Sequence, residues 1–141
     1  MPLEIEIRER FRFYQLSWDE KDIVINRLGV ELSRRNEILL AVIYGSFLRE
    51  YPFRDIDVAV YIRGGIDPLD YKFDLDEALT DKLGYKVDTR ILNYAPPWYI
   101  EKVLSEGRVI LERIPLLLEK LLLKSIDEDR FLSPSTQYNL D

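Results

Sequence analysis

Seven apolar residues, Ile38 to Tyr44 (ILLAVIY), run unbroken and stop at Gly45. A short apolar run closed by glycine suits a strand buried on both faces, at the centre of a sheet rather than at its rim. The segments around it fit that demand. Residues 54–62 (RDIDVAVYI) alternate with period two: Ile56, Val58, Val60 and Ile62 face one way, and Asp55, Asp57, Ala59 and Tyr61 the other. Residues 85–92 (YKVDTRIL) repeat the pattern, with Val87, Thr89 and Ile91 opposite Lys86, Asp88 and Arg90. A further short strand is expected at 108–112.

Helices interleave with these strands. Ser17-Trp18-Asp19-Glu20 is a capping-box pattern, and Ile23, Leu28 and Leu32 continue at near-helical spacing, which predicts a helix over 18–35. Asp67-Pro68 offers a cap and a first-position proline for a helix ending at Gly84. A third helix is expected after Ala95-Pro96-Pro97, running to Glu106, with Gly107 as its stop. A leucine-rich helix spans about 115–129, and its segment IPLLLEKLLLK suits either core or a partner surface. Residues 3–13 alternate as an edge strand or arm would, and 131–141 read as a frayed tail. The expected architecture is α/β (α+β): a mixed sheet of four to five strands flanked by helices packed on its core face. The length of 141 residues fits one domain with its core over about 17–112, an arm at 1–16, a C-terminal helix at 113–130 and the tail.

Composition narrows the chemistry. With no Cys and no His there is no disulfide, thiolate zinc site or imidazole base, so any metal must be held by oxygen, which suits Mg2+, Mn2+ or Ca2+. A formal net charge of −6 argues against direct binding to nucleic-acid backbones. A nucleotide or a basic protein is the easier partner. No signal peptide or membrane span is evident, so the expectation is a cytoplasmic protein with no membrane partner. Scarce Cys and Met with abundant charge resemble thermophile composition.

Three signals carry function. Asp55-x-Asp57 on a strand puts two carboxylates on one face about 6.6 Å apart at Cα, close enough to converge on shared cations. The bland alternative is an acidic wet face. Gly45-Ser46 follows a buried strand and offers backbone N–H groups and a hydroxyl to phosphate, although Ser46 could equally be an ordinary helix cap. Asp88, on a strand of its own, can join the acids if its strand lies beside the second. Three carboxylates on one face repel one another unless a cation is bound, and salt bridges to Arg54 or Arg90 are the structural alternative.

Together YGSFLREYPFRDIDVAV and KVDTRIL resemble the minimal nucleotidyltransferases of the polymerase-beta superfamily: Gly-Ser, a gap, Asp-x-Asp, then a third Asp on a later strand. The resemblance covers about 38–112 and includes NYAPPWYIEKVLSEGRVILER. It implies that Gly45 and Ser46 hold a triphosphate, that Asp55 and Asp57 ligate magnesium, and that Asp88 completes the metal site and helps deprotonate an attacking hydroxyl. Arg49 matches an arginine that contacts phosphate. Glu50 stands where a glycine is usual, and the interval from Ser46 to Asp55 is a couple of residues shorter than usual. The implied activity is magnesium-dependent transfer of a nucleotidyl group, AMP from ATP, to a hydroxyl. Larger relatives carry a separate acceptor-binding domain, so here the acceptor would come with a partner. Small members of the family are often antitoxins encoded with helical HEPN-type ribonucleases, in some cases AMPylating a toxin tyrosine. The competing reading is a non-catalytic antitoxin, or a homo-oligomerising scaffold with a vestigial site.

Overall fold

The computed structural model describes residues 12–132. Its elements follow in the order α1 (Trp18–Ser33), β1 (Ile38–Tyr44), a 3-10 turn (Gly45–Leu48), β2 (Ile56–Ile62), α2 (Pro68–Leu83), β3 (Val87–Ile91), a second 3-10 turn (Leu92–Tyr94), α3 (Pro97–Glu106), β4 (Arg108–Glu112) and α4 (Leu117–Leu132). Local chemistry sets most of these limits. Ser17 caps α1 through a complete capping box with Glu20. Asp67 caps α2 by accepting from the Leu69 and Asp70 N–H groups, and Gly84 ends that helix in the left-handed conformation.

The strands form one sheet in the order β3-β2-β1-β4. β1 pairs antiparallel with both β2 and β4, and β2 pairs parallel with β3. The apolar run is thus central, as its composition demands. Residues on alternate sides of it enter two different cores. Ile38, Ala41 and Ile43 join Ile56, Val58, Val60 and Ile62 beneath α1 and α2, which contribute Leu28, Leu32, Leu75 and Leu79. Leu40, Val42 and Ala59 face the other way, against Val103 and Leu104 of α3 and Leu117, Leu118, Leu121 and Leu122 of α4.

Several expectations are corrected. Helices cover both faces of the sheet rather than one, so the acid-bearing face is itself mostly core, because Ala59 and Tyr61 of that face lie under α3 and α4. β2 starts at Ile56, one residue after Asp55. α1 ends at Ser33 instead of 35, and the segment after Gly45 is a single 3-10 turn, Gly45–Leu48. α4 begins at Leu117, after a backbone reversal in which Leu116 takes φ of 64°. The leucine-rich segment is core at Leu117, Leu118, Leu121 and Leu122, while Leu116 and Leu123 point outward. The predicted strand at 3–13 lies outside the described residues except for Arg12 and Phe13, which are in no strand; the neighbouring Tyr14 bridges Phe53 instead. The tail beyond 132 also lies outside them.

Candidate active site

The site gathers where β1 ends and β2 and β3 begin. Asp57 is the register partner of Tyr44 on one side and of Asp88 on the other. Parallel pairing in register puts their side chains on one face, so two of the three sequence-selected acids are direct neighbours across the sheet. Asp55 comes from the residue just before β2.

The crowding is visible in the electrostatics. Burial, then the charges of Asp88 and Asp55, push the Asp57 carboxyl up to about 6, against opposing pulls from Arg90 and Arg54. Asp55 Oδ1 is fully buried and has no hydrogen-bond partner, while its Oδ2 has Arg54 Nη2 at 3.4 Å. An unsatisfied buried carboxylate oxygen is costly and calls for a cation or a proton donor. Both salt-bridge alternatives are therefore present, yet the exposed Arg54 leaves one Asp55 oxygen bare.

Asp88 is held differently. Its Oδ1 accepts from Lys72 Nζ at 2.7 Å, and its Oδ2 lies 3.8 Å from Arg90 Nη2. With one oxygen already engaged, the acids do not form a ready cage: among the described residues no group of three carboxylates is placed to hold a metal ion. Asp55 and Asp57 do fit a hard cation on donor chemistry, since all the oxygens are anionic, one is unpaired and one carboxyl is strained by its neighbours. Asp88 has Oδ2 left for the site.

Gly45 is required by geometry. Its φ is +82°, and a Cβ built on it would stand 2.6 Å from Asp57 Oδ2. Only glycine lets the turn pass this close to the carboxylate. The turn is opened by Tyr44, which makes no side-chain cap bond, so Ser46 is not the helix cap of the bland reading. Gly45, Ser46 and Arg49 instead line a cavity of about 720 Å3 with Tyr44, Tyr51, Tyr99 and Lys102. The three acids do not line that cavity; they flank it at Tyr44 and Gly45, through Asp57.

The structure adds residues that spacing did not reveal. Lys102 of α3 brings a second cation to the cavity beside Arg49. The hydroxyls of Tyr44 and Tyr99 share a hydrogen bond that joins the end of β1 to α3, and burial raises both groups above the usual tyrosine range. Lys21 of α1 is only 3% exposed and donates to the Arg49 carbonyl at 2.7 Å, which fixes the far end of the Gly45–Leu48 turn. Burial lowers its pKa, and the rings of Trp18, Phe47 and Phe53 lie around its ammonium. Such long-range partners leave no trace in local periodicity.

Residues 26–115, from within α1 to just past β4, match the family model described as Polymerase beta, Nucleotidyltransferase. The chain belongs to that family. Solved structures share the nucleotidyltransferase's fold. One is a tri-AMPylated Shewanella oneidensis HEPN toxin in complex with MNT antitoxin, similar at a TM-score of 0.66 and 21% identity over 86% of this chain and 96% of that one. Another is the toxin-antitoxin MntA-HepT, at 0.65 and 22% over 85% and 96%. A third is a toxin-antitoxin with AMP-PNP, at 0.64 and 22% over 83% and 95%. No curated protein matches this nucleotidyltransferase by sequence. Among the described residues no helix is long and apolar enough to cross a membrane.

Proposed function

We propose that this nucleotidyltransferase transfers AMP from ATP to a hydroxyl on a partner protein, a HEPN-type toxin, and thereby acts as its antitoxin. The observation that carries the reading is the pairing of Asp57 with Asp88 across parallel strands, directly beside a glycine turn that opens into a cavity lined by Arg49 and Lys102. Arg49 and Lys102 bring cations to that cavity, which Glu106 also lines, and Asp57 and Asp88 stand beside it. The structural likeness to toxin-antitoxin complexes, one with AMP-PNP and one with an AMPylated toxin, supports a toxin as the acceptor. A net charge of −6 suits a basic partner surface.

In this reading Ser46, the turn's N–H groups, Arg49 and Lys102 hold the triphosphate. The acceptor oxygen attacks the α-phosphorus, the bond to the β-phosphate's bridging oxygen breaks, and pyrophosphate leaves. Asp88 Oδ2 receives the acceptor's proton. Asp55 and Asp57 would hold magnesium or manganese, which supplies neutralisation of charge on the phosphates. Apposed carboxylates beside a glycine turn are what such a transfer uses.

Transfer of label from α-labelled ATP to a HEPN-type partner protein tests this, with magnesium or manganese present. Wild type should label the partner on a hydroxyl side chain, and Asp88→Asn should abolish labelling while the complex still forms. The competing binding-only antitoxin draws on one observation, that Asp88 is already ion-paired to Lys72. It is upheld if the wild type transfers nothing and Asp88→Asn neutralises the partner as well as wild type does.

A further inference from the structure

Among the described residues β3 is an edge strand of the sheet, with β2 on one side and no strand on the other. Edge strands leave backbone groups that need partners. At Thr89 those partners come from one turn of α2. Asp76 Oδ1 accepts from the Thr89 N–H at 2.7 Å and from its Oγ1 hydroxyl at 2.5 Å. Lys72 Nζ donates to the Thr89 carbonyl at 2.5 Å. Lys72 and Asp76, spaced i and i+4 and joined at 2.8 Å, thus satisfy the Thr89 backbone groups that face away from β2.

The same ammonium also donates to Asp88 Oδ1 at 2.7 Å. A lysine has three N–H donors, and here they go to Asp76, Asp88 and Thr89. A saturated ammonium has no donor left for a phosphate, which separates Lys72 from Arg49 and Lys102. Nor is it an ordinary surface ion pair, because the Lys72 side chain is only 20% exposed and three acceptors fix its direction. Asp88 itself stands next to Asp57, whose charge would drive it outward from an edge strand.

We infer that Lys72 is a positioning residue: by holding Asp88 through one oxygen while it caps the β3 edge, it fixes where the third carboxylate stands relative to Asp57 and leaves Oδ2 to serve the site. The catalytic part rests on the function proposed above, and the structural part does not. α2 would then be part of the active-site framework, although no residue of it touches substrate in this scheme.

The test begins with metal-free protein and thermal unfolding of wild type, Lys72→Met, Asp88→Ala and the double variant. If Lys72 holds Asp88, the melting-temperature loss caused by Lys72→Met should shrink to about half or less in the Asp88→Ala background, the non-additivity expected of contacting residues. Additive losses would overturn the inference and leave Lys72 an edge cap alone. Should Lys72→Met fail to fold, Lys72→Gln replaces it in the same cycle, since it keeps donors for Thr89 and Asp76 but loses the charge. With ATP and partner, Lys72→Met should lower turnover about tenfold or more while KM for ATP stays within about threefold, and Lys72→Arg should recover part of the loss. Turnover and KM changing in parallel, or no recovery with arginine, also counts against positioning. A wild type that transfers no label removes the proposed activity but leaves the metal-free cycle intact, so the two failures are distinguishable.

Discussion

Asp57→Asn should make the metal-free protein more stable, not less. Asp57 moves from 3.8 to about 6 on folding, driven first by burial and then by Asp88 and Asp55. A carboxyl whose folded pKa is raised binds its proton more tightly in the folded state, so its ionised form costs stability. Two units at about 1.36 kcal/mol each set a ceiling of about 3 kcal/mol, and partial solvent exposure reduces this to about 1–2 kcal/mol. The cost is full above about pH 6, falls to roughly half near pH 5, and vanishes below the unfolded value. Asparagine is nearly isosteric and uncharged. At about pH 7.5 in chelator, the variant should melt about 3–8 °C above wild type, and this advantage should narrow as pH falls toward 4. Added magnesium should stabilise the wild type and close the gap, because a ligand that binds only the folded state stabilises it by mass action. Calorimetry should at the same time show weaker Mg-ATP binding by the variant. A variant that melts below wild type at about pH 7.5, or a gap that does not change with pH, would refute the argument that charge crowding at Asp57 strains the fold.

Two further substitutions probe the phosphate side. Gly45→Ala places a methyl group 2.6 Å from Asp57 Oδ2 at a φ of +82°, so it should cost at least about 1–2 kcal/mol of stability, read by denaturant unfolding, and displace Asp57 enough to impair Mg-ATP binding. Ser46→Ala should leave the melting temperature unchanged, since Ser46 does not cap the turn, and weaken triphosphate binding by about 0.5–1.5 kcal/mol in a calorimetric titration.

Much of this molecule is readable from short-range pattern. The run ILLAVIY declares a two-faced strand because burial on both sides leaves no room for a polar residue, and β4 appears at its expected limits. Ser17 with Glu20, and Asp67 with Gly84, mark helix ends because caps are local hydrogen-bond chemistry. The alternation in β2 also predicted which residues share a face with Asp57. What sequence did not show is what lies across that face. Whether α3 and α4 cover Ala59 and Tyr61 depends on where the chain returns, and periodicity in β2 is the same either way. Lys72 and Asp76 fell from view for a related reason. An i, i+4 pair of opposite charge reads as a solvated helix surface, and nothing in its spacing says that an edge strand lies against it. Lys21 is harder still, because a buried lysine contradicts the usual preference of that residue and only the Arg49 carbonyl and the surrounding rings explain it.

The parallel register of β2 and β3 has an evolutionary corollary. A slip of one residue in β3 would turn Asp88 toward the core beneath α2 and bring Val87 or Thr89 opposite Asp57, burying a charge and emptying the site in a single move. The chain between Gly84 and Val87 is a surface turn of a kind that commonly tolerates length changes. Here it behaves as a reading frame. The bonds from Lys72 and Asp76 to Thr89 hold β3 against such a slip, so an inserted or deleted residue in this turn has to be absorbed before Val87.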